Sequence, residues 1–71
     1  MFYKIESSVI HSLEYFGEDR VLEIRFHSNK IYPYFEIEEK LVEDFLNSDS
    51  KGRFYNENIK GFYDRGEMFY A

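Results

Sequence analysis

The chain has no cysteine and no tryptophan, one proline, and four glycines in 71 residues. Without cysteine, a disulfide scaffold is excluded, and thiolate metal sites with it. No apolar run approaches the ~20 residues that a membrane-spanning helix needs. Met1-Phe2-Tyr3 is followed at once by Lys4 and Glu6, which is not a secretory pattern, so a cytoplasmic protein is expected. Positive charge is also scarce: 9 Lys and Arg against 14 Asp and Glu give a net charge of -5. Coating long DNA needs a broad basic surface, and this balance argues against it.

Signals for catalysis are as sparse. His11 and His27 lie far apart in sequence with no carboxylate pattern beside them, so no metal site is expected. Ser7-Ser8, Ser48 and Ser50 have no visible base to activate them. Gly52 and Gly61 are isolated and form no phosphate-binding loop. Glu38-Glu39 and Glu43-Asp44 are carboxylate pairs in sequence only, and they read as solvated helix faces. The expectation is a protein that is not an enzyme and needs no cofactor.

Aromatic residues, by contrast, make up 21% of the chain. A domain this short buries only about 60% of its unfolded surface. Aromatics and self-association can supply what a small core lacks. A single domain over residues 1–71 is therefore expected to form a homo-oligomer, a dimer or tetramer. The apolar residues at both ends, Phe2 and Tyr3, then Met68, Phe69 and Tyr70, are the motive.

Hydrophobic periodicity changes near residue 37. Before it the period is two. In 20–27, Leu22, Ile24 and Phe26 alternate with Glu23, Arg25 and His27, which predicts a strand. Residues 9–16 predict a strand with a bulge between Ile10 and Leu13, because the alternation slips there. Asn29 suits a left-handed turn before a third strand over 31–37. In that strand Ile31, Pro33, Phe35 and Ile37 are assigned to the core face, and Tyr32, Tyr34 and Glu36 to the other. Pro33 cannot donate a ladder bond, so the strand is an edge or is open at that point. After residue 37 the period is helical. Leu41, Val42, Phe45 and Leu46 form a stripe on a helix over 38–47, and a second helix over about 52–60 is closed by Gly61. The predicted fold is α+β: a three-stranded antiparallel β-meander followed by two short helices, with Phe26, Phe35 and Phe45 in the core.

One segment departs from the overall acidity. Ser50 to Arg65 holds Lys51, Arg53, Lys60 and Arg65 against Glu57 and Asp64, net +2, which leaves -7 for the rest of a chain whose total is -5. It also holds the pairs Phe54-Tyr55 and Phe62-Tyr63. A capped helix with a solvated basic edge is one reading. The other is an anion site, in which N–H groups at a helix N-terminus join Lys51 and Arg53 in facing phosphate, while Asn56 and Asn58 read base or sugar. Tyr32 and Tyr34 admit either cross-strand packing or a platform for a nucleobase or a neighbouring subunit.

The stretches "SSVIHSLEY", "LEIRFHSNKIYPYFEI" and "DSKGRFYNENIKGFY" resemble, in this order and spacing, the KTSC family, a short module found at the C-terminus of some lysyl-tRNA synthetases and also alone. The run Ser50-x-Gly52-x-Phe54-Tyr55-Asn56 is its most specific part, and Tyr15, Tyr32 and Tyr34 also match. Asn29-Lys30 and Glu38-Glu39 depart from the usual pattern, and the residues after Tyr63 lie outside it. The resemblance implies a small α+β module without established enzymatic activity. Stand-alone phage members imply a further role, the sequestration of cyclic nucleotide immune signals in the host cytoplasm. The expected function is thus a non-enzymatic, homo-oligomeric binder of a small anionic nucleotide, in its specific form a phage anti-defence sponge for a cyclic di- or oligonucleotide. Tyr15, Tyr32, Tyr34 and Tyr55 would stack bases, Lys51, Arg53 and Lys60 would meet phosphates, and Asn56 would contact base or sugar. The alternative is an RNA- or protein-contacting accessory module.

Overall fold

A computed structural model describes residues 1–71. Its elements run β1 (Phe2–Lys4), β2 (Ile10–Phe16), β3 (Val21–Phe26), β4 (Lys30–Tyr34), α1 (Glu39–Asn47), α2 (Lys51–Asn58) and β5 (Phe69–Tyr70). All strand pairs are antiparallel, and the sheet order is β1-β2-β3-β4-β5. Both helices cover one face of the sheet, where Val42, Phe45, Tyr55 and Ile59 meet Ile10, Leu13, Leu22, Ile24 and Tyr34. Neither helix is long and apolar enough to cross a membrane.

The α+β class, the meander β2-β3-β4 and both helices match the sequence reading, but the sheet has five strands rather than three. The two extra strands are only three and two residues long, too short for alternation to declare itself. They form because the chain ends are tied back. The N-terminal ammonium donates to the Tyr15 carbonyl at 2.6 Å, and the Tyr15 N–H donates to the Met1 carbonyl at 2.8 Å. At the other end the Gly66 N–H donates to the Pro33 carbonyl at 2.8 Å. This close approach needs glycine: a Cβ at Gly66 would stand 2.8 Å from Phe35 Cζ and 2.9 Å from Pro33 Cγ.

Local features follow the sequence closely. The β2–β3 register shifts between Ile10 and Ser12, so the bulge falls on His11. Asn29 adopts a φ of 68°, the left-handed turn expected of it. Helix α2 stops earlier than expected, with Ile59 and not Gly61 as its C-cap, and Gly61, at a φ of 84°, lies in the turn that follows. The Ser50 hydroxyl accepts the Arg53 N–H at 3.3 Å and caps α2. Pro33 directs its carbonyl, and the donor it lacks, toward the tail rather than toward β3.

The facing of β4 is the reverse of the expected one. Tyr34 pairs with Leu22 and Tyr32 with Ile24, and directly paired residues share a face. Tyr34 is therefore 1% exposed, Tyr32 is half-buried, and Phe35 is 39% exposed instead of lying in the core. Ile37 still reaches the core because β4 ends at Tyr34 and Glu36 turns through a φ of 59°. Phe45 is fully buried and stacks on Phe54 at 5.0 Å between centroids, joining α1 to α2, and Phe26 packs at the core edge.

Two buried tyrosines close the core. Their hydroxyls, Tyr34 Oη and Tyr55 Oη, lie 2.6 Å apart. Replacing either by Phe strands the other hydroxyl in the core and should cost about 1–3 kcal/mol. A Tyr34→Phe/Tyr55→Phe double variant leaves no orphan, so it should cost well less than the two singles combined, as read by urea denaturation in a double-mutant cycle. Strictly additive losses would show that the bond does not couple β4 to α2.

Candidate functional site

The polar face of α2 and the loop before β2 build one groove. Ser50 ends the link from α1 and starts α2, so the first N–H groups of that helix lie free of intrahelical acceptors beside its cap. Helical spacing then places Arg53 and Asn56 on the outer side of α2, both exposed, while Tyr55 and Ile59 turn into the core. Across from them the Glu6–Val9 loop is held in shape by the Ser7 hydroxyl, which accepts the N–H groups of Val9 at 3.1 Å and Ile10 at 3.2 Å. The groove between these segments measures about 430 Å³, and Ser7, Ser8, Ser50, Arg53 and Asn56 are among its lining. Glu6 and Asp49 also line it, so its charge is nearly balanced. Arg53 has no ion-pair partner; the ion pairs of the molecule are Arg20–Glu38 and Lys40–Asp44.

The residues singled out in the sequence separate into three groups. Lys51, Arg53 and Asn56 come together at this groove. Lys51 is partly committed elsewhere, since its ammonium donates to the Ser48 carbonyl at 2.6 Å. Tyr15, Tyr34 and Tyr55 lie in the core and offer no open ring face. Tyr15 donates to the Ile37 carbonyl at 2.7 Å, and burial, then Glu39, raises its pKa. Burial and the bond to Tyr34 push the Tyr55 hydroxyl well above the ordinary tyrosine value, so it stays protonated. Tyr32 and Lys60 stand apart from the groove. The ring of Tyr32 is capped by the Arg65 guanidinium, 4.3 Å from its centroid, an arrangement worth roughly 0.5–1 kcal/mol at an exposed position.

Two features escaped sequence reasoning. Ser7 and Ser8 border the same groove as Arg53, more than forty positions away. No local pattern marks that contact. His11 and His27 are neighbours, with ring centroids 5.6 Å apart, edge to face. The bulge takes His11 out of the β2–β3 register, and its ring comes to lie beside that of His27, whose own N–H pairs with the Val9 carbonyl. His11 Nδ1 lies 2.9 Å from Ser12 Oγ, and His27 Nε2 lies 2.7 Å from the Ser7 carbonyl oxygen. Partial burial, then Arg25, His27 and Lys4, lower the His11 pKa and favour its neutral form. No group of three or more His, Asp or Glu side chains is arranged to hold a metal ion.

The sequence and the fold both have known counterparts. The KTSC domain pattern matches residues 6–63. A lysine–tRNA ligase of Nostoc punctiforme is 40% identical over 58 residues, covering 82% of this chain and 10% of the ligase. The chain thus spans about a tenth of the length of that relative. A protein of Stutzerimonas stutzeri is 36% identical over 56 residues, 79% of each chain. The crystal structure of a KTSC domain protein from Yersinia pestis superposes with a TM-score of 0.89 at 33% identity, covering 94% of both chains. With its matched region running from the Glu6 loop through α2 to Tyr63, the chain belongs to the KTSC domain family.

Proposed function

We propose that this protein binds a small anionic nucleotide without turning it over, in the groove between the Glu6–Val9 loop and the first turn of α2. The observation that carries the reading is an unpaired Arg53 beside the free N–H groups of a capped helix N-terminus. A guanidinium in that position holds a phosphate through two parallel hydrogen bonds. Asn56, one turn further on, offers both donor and acceptor to a base edge. Glu6 and Asp49 accept hydroxyl protons from a sugar, and they also repel additional phosphates. The balanced lining therefore favours a ligand with one or two phosphates over a long polyanion. A groove of about 430 Å³ is in the range of small-molecule sites.

In its specific form the proposal is sequestration: a cytoplasmic, phage anti-defence sponge that holds a cyclic di- or oligonucleotide immune signal. Relatives that are matched over most of their length, such as the one from Stutzerimonas stutzeri, are consistent with a unit that works by binding alone. The second reading, an accessory module that contacts RNA or protein, is favoured by the matches confined to a tenth of lysine–tRNA ligases.

A thermal-shift screen against cyclic dinucleotides and against a tRNA separates the two readings. A ligand present at 100 times its Kd should add about 2.7 kcal/mol of stability, which raises the Tm of a domain this small by roughly 10 °C or more. A response to tRNA alone would favour the accessory module. With a nucleotide ligand in hand, Arg53→Ala should weaken binding about tenfold or more, through the loss of a charge-assisted contact. Lys40→Ala should leave affinity unchanged, because the Lys40 ammonium is paired with Asp44 at 2.9 Å on the far helix. Equal losses would mean that binding follows net charge and not this groove. Ligand recovered from the denatured complex should be intact; a cleaved or linearised product would contradict binding without turnover.

A further inference from the structure

The sheet face that the helices leave uncovered carries its own pattern. Strand registers arrange its centre in two rows that cross the sheet. One row is Phe2, Glu14, Glu23 and Pro33, and the next is Lys4, Ser12, Arg25 and Ile31. A shallow hollow of about 110 Å³ touches six of these eight residues, which places them on a common surface. Phe2 is 60% exposed there, and Phe69, paired with Ile31, is 43% exposed. Exposed aromatics of this kind on one sheet face form the sort of apolar patch that marks an interaction surface.

The charges on this face are unresolved within one copy. Glu14 and Glu23 are direct cross-strand partners, and like charges in that relation destabilise a sheet. Burial, then the neighbouring Glu14, raise the pKa of Glu23. Neither carboxylate has an ion-pair partner. Arg25, two residues from Glu23 on the same face, donates from one terminal nitrogen to Asn29 Oδ1 at 2.8 Å, and its Nε is buried without any partner. A face with two unpaired carboxylates in one row and an under-satisfied guanidinium in the next is complementary to itself when turned over.

We infer that this face is a homodimer interface, in which a second copy packs sheet against sheet about a two-fold axis running across the strands between the two rows. Such an axis exchanges the rows. Glu23 of each copy then faces Arg25 of the other, Phe2 faces Lys4, and Pro33 faces Ile31, while Glu14 lies over the row position of Ser12, which is itself buried. Every pairing occurs twice, as an isologous interface requires. The contact brings opposite charges together at Glu23 and Arg25, sets a cation over an aromatic ring, and covers the apolar ends. Five strands ~4.8 Å apart and about five residues long give a face of roughly 20 × 20 Å. Two such faces bury on the order of 1,000 Å², the low end for specific complexes, which implies a reversible dimer. This inference does not depend on the ligand reading, since the groove at α2 lies with the helices and not on this face.

Charge reversal tests it. At roughly 100 μM, above the micromolar range expected of an interface this small, sedimentation equilibrium should give the wild type a mass near twice 8.7 kDa. Glu23→Arg and Arg25→Glu should each sediment as monomers, with native circular dichroism. The double variant Glu23→Arg/Arg25→Glu restores opposite charges across the two-fold and should return the dimer. A monomeric wild type would overturn the interface. So would single variants that remain dimers, as expected if edge strands pair instead, or a folded double variant that stays monomeric.

Discussion

The hydrogen bond between the hydroxyls of Tyr34 and Tyr55 is the constraint on which the rest of the fold turns. Both rings are buried, and a buried hydroxyl without a partner costs about 1–3 kcal/mol. At 2.6 Å each supplies the other's need, with the rings edge to face at 5.9 Å. The bond joins β4 to α2, and so fixes which side of that helix faces the sheet. Once Tyr55 and Ile59 are committed to the core, Arg53 and Asn56 must point to solvent beside the Glu6–Val9 loop. The candidate site is a consequence of the core and not an addition to it.

The abundance of aromatic residues has the same origin. A chain of 71 residues has little interior, and large rings fill it with few side chains. Phe26 meets Tyr32 and Tyr55 edge to face, Phe45 stacks on Phe54, and Tyr15 donates to the backbone at Ile37. One face of the sheet is thereby completed. The other keeps Phe2, Phe16, Phe35 and Phe69 partly open around a charged centre, a division that one core of this size cannot remove.

What the sequence disclosed was local. The alternation of Leu22, Ile24 and Phe26, the slip between Ile10 and Leu13, and the left-handed Asn29 each rest on a few adjacent residues, and each stands where periodicity and turn chemistry put it. What it withheld was relational. In Ile31 to Ile37 both alternating sets are apolar enough for a core, so alternation defines two faces without saying which is inside. The pairing of Tyr34 with Leu22 decides that, and it is a contact between strands. The same holds for β1 and β5, which exist only because partner strands receive them, and for Ser7 beside Arg53. Arg53 and Asn56 were legible as neighbours because helical spacing alone brings them together. The tyrosines were legible as a group, but not that three of them, Tyr15, Tyr34 and Tyr55, are packed into the core.

The central claim is that recognition belongs to the polar side of α2 and its facing loop while the tyrosines hold the core. A ¹H–¹⁵N correlation spectrum recorded during titration with a cyclic dinucleotide tests it most directly. The account predicts that amide shifts concentrate in residues 6–9 and 49–56, with those of β3 and β4 nearly still. Shifts centred on Tyr32 and Tyr34, with the α2 amides unmoved, would contradict it.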